Sequence, residues 1–216
     1  MKENDDALQE PPIGSAGGLS VTGKIIASAW VTLDGKVAGP DDSMDWLRPD
    51  LDLMDYETRL VQGAGTLLLG RITHADFASY WPAVARGDID ADEGSGRYAR
   101  RLDELDKVVA SRTGYVADWP GTRRLQEVTV DAVHRIRAAS TGNVVVYGSL
   151  SVLAGLDLLG LLDEVHLVGH PVFLGQGRPL FSDGCRAGLE LTDQRRFSSG
   201  AVLSIYRCSY EPASTS

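Results

Sequence analysis

The chain has 216 residues, with 21 Lys and Arg against 30 Asp and Glu for a formal net charge of −9. That acidity argues against a nucleic-acid binder, whose sequence-independent affinity comes from Lys and Arg neutralising phosphates. With 43% hydrophobic and 24% charged residues, and no run near the roughly 20 apolar residues of a membrane span, the composition is that of one globular domain with no membrane partner.

Residues 1–20 hold several acids, Pro11-Pro12 and a Ser/Gly stretch, a composition that buries too little apolar surface to repay its ordering entropy. They are predicted as a disordered leader, with residues 21–211 as a single domain and 212–216 as a tail. The leader lacks the apolar segment of a secretory signal, so a reducing cytoplasm is the expected compartment. Cys185 and Cys208 are expected to be idle thiols.

Within the domain, short runs rich in β-branched residues alternate with amphipathic stretches. Strands are predicted at Lys24–Val31, Thr66–Leu69, Lys107–Ala110, Asn143–Tyr147 and Glu164–Val168, most of them apolar enough to be buried on both faces. Helices are predicted at Asp50–Gln62, Thr73–Tyr80, Arg97–Leu105, Val130–Ala139 and Ser149–Leu159. Such alternation implies an α/β fold with right-handed crossovers between parallel strands. Arg86–Gly96 (RGDIDADEGSG) is polar and Gly-rich and reads as a surface insertion loop. In the last quarter the alternation breaks, because Leu189–Phe197 and Val202–Tyr210 flank Ser198-Ser199-Gly200, a hairpin turn. The sheet is therefore expected to be mixed, with an antiparallel C-terminal hairpin.

Walker A, HExxH, CxxC and GxSxG motifs are absent, which removes the usual sequence support for P-loop, zincin and α/β-hydrolase chemistry. Gly63-Ala64-Gly65 precedes a strand, whereas a dinucleotide fingerprint follows one. His166 and His170 share an i, i+4 spacing, but it straddles a strand end rather than a helix face, and no metal site is expected. Three turns where a strand feeds a helix carry more information, because free N–H groups at helix starts bind phosphates. They are Gly70-Arg71-Ile72-Thr73, Ser111-Arg112-Thr113 and Gly148-Ser149-Leu150-Ser151. Each alone is an ordinary cap, but three at one sheet edge, two of them with arginine, favour a ligand with several phosphates.

These turns, together with Val31–Gly39 (VTLDGKVAG), Gly63–Thr73, Val108–Arg112, Val145–Ser149 and His170–Phe181 (HPVFLGQGRPLF), resemble the dihydrofolate-reductase-like superfamily. The closest likeness is to the C-terminal reductase domain of the bifunctional riboflavin-biosynthesis deaminase/reductase, in a small stand-alone branch. The resemblance spans Lys24 to Tyr210. It implies a three-layer fold, with a sheet of about eight strands and helices on both faces, and NADPH as cofactor. Gly70, Arg71 and Thr73 would hold adenosine-side phosphates. Ser111 and Arg112 would meet the 2′-phosphate, Gly148, Ser149 and Leu150 the pyrophosphate, and Ala38 and Gly39 would lie over the nicotinamide. The implied activity is reduction of a pyrimidine- or pteridine-like small molecule, foremost 5-amino-6-(5-phosphoribosylamino)uracil. The alternatives are a dihydrofolate or other imine reductase and a non-catalytic NADPH-binding module. The chain departs from the resemblance at Ser149, where many members have a second glycine, and it carries no deaminase domain.

Met44–Leu51 (MDWLRPDL) resembles the dihydrofolate reductase segment in which a Trp is followed by Pro and an acid, making Asp50 the candidate catalytic carboxylate, with Asp52 its rival because the spacing is one residue short. Pro-Asp is equally an ordinary helix start. Asp34 either orients substrate or makes an Asp-Gly turn, and Trp30 and Trp46 either wall a pocket or pack the core. A homodimer is expected, with the apolar run Val165–Phe173 in its interface, although that run serves equally well as a core strand.

Overall fold

A computed structural model describes residues 23–48, 50–114, 116–181 and 185–211, so the predicted leader and tail lie outside it. The elements run β1 (Ile25–Thr32), β2 (Lys36–Ala38), α1 (Leu51–Gln62), β3 (Ala64–Gly70), α2 (Arg71–Arg86), α3 (Glu93–Glu104), β4 (Asp106–Ala110) and β5 (Thr122–Leu125). They continue with α4 (Val130–Ala139), β6 (Asn143–Tyr147), α5 (Leu150–Leu158), β7 (Glu164–His170), β8 (Arg178–Pro179), β9 (Gly188–Arg196) and β10 (Val202–Ser209).

Eight strands form one sheet in the order β5-β4-β3-β6-β1-β7-β10-β9. It is parallel from β5 to β7 and closes with the antiparallel β10 and β9, the hairpin expected from the sequence. Strands β2 and β8 make a separate small ladder. Alternation along the central strands divides two cores. Ile26, Leu67, Leu69, Val145 and Val168 face α1 and α3 through Leu53, Leu60 and Leu102. Ile25, Ala27, Leu68, Val144 and Val146 face α4 and α5 through Val133, Ile136 and Leu156. Each large side chain so buried contributes roughly 1.5–3 kcal/mol relative to exposure. These two apolar faces are why the central strands carry uninterrupted Val, Ile and Leu.

Three local expectations change. Helix α2 runs on to Arg86 through Pro82, because Trp81 packs on the first core and Val84 is buried, which outweighs one missing N–H. Of the predicted insertion loop, only residues 87–92 are irregular; Glu93–Gly96 form the first turn of α3, capped by the Asp92 carboxylate accepting from Ser95 N–H at 3.0 Å. The Ser111-Arg112-Thr113 turn, expected to feed a helix, is followed instead by β5 (TRRL), a polar edge strand that hydrophobic patterning does not reveal. Among the described residues no helix is long and apolar enough to cross a membrane.

Candidate functional site

In open α/β sheets ligands bind beyond the carboxyl ends of the parallel strands, and here those ends line up by register. Gly70 of β3 stands opposite Ala110 of β4, Leu69 opposite Tyr147 of β6, Ser28 of β1 opposite Tyr147, and Thr32 of β1 opposite His170 of β7. The sequence-predicted turns after β4, β3 and β6 therefore emerge side by side. From β4 to β1 the row covers three strand spacings, about 14 Å.

Two helices begin on this row, and both start without a side-chain cap. Gly70 has no side chain to offer α2, and the Ser149 hydroxyl shares a hydrogen bond with Ser151 Oγ at 2.9 Å rather than accepting from a first-turn N–H of α5. The other three helices are capped by Asp50, Asp92 and Thr129. The first-turn N–H groups of α2 and α5 thus carry the partial positive charge of a helix start with no protein oxygen supplied to them by a cap. Two glycines bring these starts together. Gly148 has φ +47°, and a Cβ there would stand 2.7 Å from Thr73 Oγ1; a Cβ on Gly70 would collide with the Ser149 side chain. The Gly148–Ser149 peptide is cis, with serine in the second position.

Arg71 and Arg112 are exposed and join no ion pair among the described residues. The turn carrying Arg112 is braced by Arg124, whose Nε donates to the carbonyl of the buried Ser111 at 2.8 Å and whose Nη2 reaches the Arg112 carbonyl at 3.4 Å. Leu150 is half-buried at the start of α5. Ala38 ends the β2 strand that follows β1, and Gly39 is the first residue beyond it. They are held by Ala38 pairing with Arg178, by Gly39 N–H donating to Ser43 O at 2.9 Å, and by the Arg178–Asp42 ion pair. Uncapped paired helix starts, close-packed glycines and free guanidinium groups fit the phosphates of a dinucleotide.

The two candidate carboxylates are both saturated with donors. Asp34 accepts from Thr32 Oγ1 at 2.5 Å and from the N–H groups of Gly175 and Leu174 at 2.8 and 3.3 Å, tying the β1–β2 turn to the loop after β7. The Thr32 hydroxyl, then those N–H groups, hold its carboxyl down to about 2. Asp50 caps α1 through Asp52 and Leu53 N–H and clamps the β9–β10 turn through Ser199 N–H at 2.9 Å. Burial pushes its carboxyl up, but the Ser199, Leu53 and Asp52 hydrogen bonds outweigh that and leave it below the ordinary range. Both are ionised at neutral pH, suited to orienting and poor at giving a proton.

Two further groups stand at this edge that sequence patterns did not mark as functional. Glu57, 1% exposed, accepts from Trp30 Nε1 at 2.8 Å and from the Tyr147 hydroxyl. It thereby joins the ends of β1 and β6, and burial raises its carboxyl above the ordinary value. His170, 3% exposed, lies between Trp30 and Trp46 with ring centroids at 5.9 and 5.2 Å. His166, its i, i+4 neighbour, faces Tyr56 and Glu164 instead. Among the described residues no three His, Cys, Asp or Glu side chains converge as metal ligands.

The chain is 30% identical over 186 residues to the uncharacterized protein YyaP of Bacillus subtilis, covering 85% of this chain and 94% of that one. Its structure superposes on a putative riboflavin biosynthesis protein from Shewanella sp. PV-4 with a TM-score of 0.64 and 19% identity, covering 86% of this chain and 99% of the other. The bifunctional deaminase/5-amino-6-(5-phosphoribosylamino)uracil reductase of Thermotoga maritima gives 0.61 at 15% identity, covering 87% of this chain and 57% of that one. Dihydrofolate reductase from Enterococcus faecalis, in complex with NADP(H), gives 0.53 at 13% identity over 87% of this chain and 98% of the other. These likenesses show a dihydrofolate-reductase-like fold. The model of the RibD C-terminal domain matches residues 23–203, nearly all of the described body, and the chain is a member of that family.

Proposed function

We propose that the protein is an NADPH-dependent reductase of a pyrimidine-like heterocycle, with 5-amino-6-(5-phosphoribosylamino)uracil as its substrate. The observation that carries this reading is the pair of uncapped helix starts, α2 and α5, meeting beside Arg71 and Arg112 at one sheet edge. On this reading Gly70, Arg71 and Thr73 hold adenosine-side phosphates, and Gly148, Ser149 and Leu150 seat the pyrophosphate. Ser111 and Arg112 meet the 2′-phosphate, which selects NADPH over NADH. The bound cofactor supplies the hydride. The chain's own part is positioning: Ala38 and Gly39 close over the reacting face, while Trp30 and Trp46 wall the heterocycle and exclude water. Asp50, ionised and fixed to the hairpin turn, orients a positively polarised substrate edge. Asp34 keeps the loops after β1 and β7 in register with each other.

The test is NADPH oxidation by purified protein, followed at the nicotinamide absorbance, with 5-amino-6-(5-phosphoribosylamino)uracil and separately with dihydrofolate. Turnover of the first and not the second is expected. Turnover of dihydrofolate alone would make the protein a dihydrofolate reductase, and NADPH binding with oxidation by neither would make it a binding module.

A further inference from the structure

Nε2 of His170 and Nε1 of Trp46, both buried at the site, find no hydrogen-bond partner among the described residues. They belong to rings in edge contact, centroids 5.2 Å apart at 76°. Buried polar groups are nearly always paired, and one that is not needs an explanation; two on neighbouring rings share one. His170 ends β7 opposite Thr32, where β1 leaves the sheet toward the Ala38–Gly39 loop. Trp46 comes from the irregular segment that follows that loop. Trp30, the third wall, is fixed by Glu57. The corner is thus made of one flat indole held from below, one indole brought by a loop, and a histidine between them.

The charge around His170 is simple. Burial favours its neutral form and lowers the imidazole below its ordinary value, against the Asp50 carboxylate, the charge that acts on it, which favours the protonated form. Trp30 and Thr32 on β1 and Trp46 on the loop bring no charge. Asp50 is itself ionised and engaged by four donors, Asp52, Leu53 and Ser199 N–H and the Ser198 hydroxyl. It therefore serves as counter-charge to an imidazolium rather than as a proton donor.

We infer that His170, with Trp46 beside it, is the substrate-contacting residue that hydrogen-bonds the acceptor atom of the reducible C=N group and gives it its proton. The inference rests on the reductase reading above. In the balanced step the C=N carbon takes a hydride from the dihydronicotinamide cofactor, and the π pair moves to nitrogen. Nitrogen takes the proton from the His170 imidazolium, which becomes neutral imidazole. Trp46 Nε1–H supplies a second, fixed donor to the same polar edge of the heterocycle. Burial lowers the His170 pKa, so an imidazolium formed there beside the Asp50 carboxylate holds its proton more weakly than a free one and is the stronger acid toward that nitrogen.

The test uses the full chain, with His170→Phe and His170→Gln. Binding of 5,6-diaminouracil without cofactor is read from the His170 Cε1–H resonance of the wild type and by calorimetry for all three proteins. NADPH affinity and the pH profile of NADPH oxidation with 5-amino-6-(5-phosphoribosylamino)uracil are measured alongside. The expected wild-type result is a shifted His170 resonance on adding diaminouracil. His170→Phe should bind diaminouracil at least about tenfold more weakly. His170→Gln, which keeps a donor, should bind it nearly as wild type, yet lose about 100-fold or more in kcat together with the histidine limb of the pH profile. Both should hold NADPH within about twofold. An unmoved wild-type resonance, a Phe variant binding like wild type, or a Gln variant keeping the wild-type rate and pH profile would overturn the inference. Should His170→Phe fail to fold, the wild-type resonance and the Gln variant decide. A wild type that binds diaminouracil through His170 but never oxidises NADPH would sink the reductase reading and the proton step while leaving the binding contact standing.

Discussion

Replacing Glu57 with leucine should lower the unfolding free energy by about 2–6 kcal/mol, because Trp30 Nε1–H and the Tyr147 hydroxyl each lose a buried acceptor at roughly 1–3 kcal/mol apiece. The carboxyl sits in the first core with an indole on one oxygen and a phenol on the other. Burial holds its pKa above the ordinary 4.5, against the two hydrogen bonds that favour the ionised form. A group whose folded-state pKa is raised contributes stability that is complete below its unfolded value and is lost as pH rises through the folded one. Wild-type stability should therefore carry a component that declines as pH climbs above 4.5. Glu57→Gln keeps an acceptor for Trp30 and has no proton to lose, so that decline should vanish and the variant should exceed wild type on the alkaline side. Urea unfolding of the three proteins across a pH series measures both effects. A glutamine variant with the wild-type pH slope would mean that the Glu57 carboxyl does not titrate in the fold as described.

Arg112→Ala should weaken NADPH by roughly 10- to 100-fold and leave NADH nearly unchanged. A charge-assisted hydrogen bond to phosphate contributes about 1.5–3 kcal/mol, and 1.4 kcal/mol is a factor of ten. Arg124, braced on the carbonyls of Ser111 and Arg112, should matter through the shape of the turn, because its Nε is already spent on protein. Arg71→Ala, at adenosine-side phosphates that the two nucleotides share, should weaken NADPH and NADH alike. Fluorescence titration with both nucleotides separates the outcomes, and equal losses for the two on Arg112→Ala would refute contact with the 2′-phosphate.

What the sequence disclosed followed from what each residue type does locally. Strands such as NVVVY announce themselves because both faces are buried, and their predicted bounds coincide with β6. The turns after β3 and β6 were legible as strand-to-helix junctions, each an ordinary cap alone and informative only together, whereas the Ser111-Arg112-Thr113 turn was legible by its residues but is followed by β5 rather than a helix. Register then showed that three separate turns make one row. Strand β5 was hidden because an edge strand of four residues carrying two arginines has no apolar signal. Glu57 was hidden for a subtler reason: within Asp55-Tyr56-Glu57-Thr58-Arg59 it reads as part of a solvated helix face. Only the approach of β1 and β6 gives its carboxyl two donors. His170 was noticed solely as half of a histidine pair, and its position between two indoles depends on residues 140 and 124 positions away in the chain. Asp34 and Asp50 were visible as acids, whereas some of the donors that keep them ionised, the N–H groups of Gly175 and Ser199, come from loops far along the chain.

The central claim is that the close-packed starts of α2 and α5 form a dinucleotide-phosphate site. A crystal structure of the protein with NADPH tests it most directly. The pyrophosphate is predicted to lie against the N–H groups of Ser149–Ser151, with the 2′-phosphate at Arg112 and the nicotinamide between Ala38–Gly39 and Gly148. Nucleotide bound elsewhere on the surface, or no binding at millimolar NADPH, would contradict it.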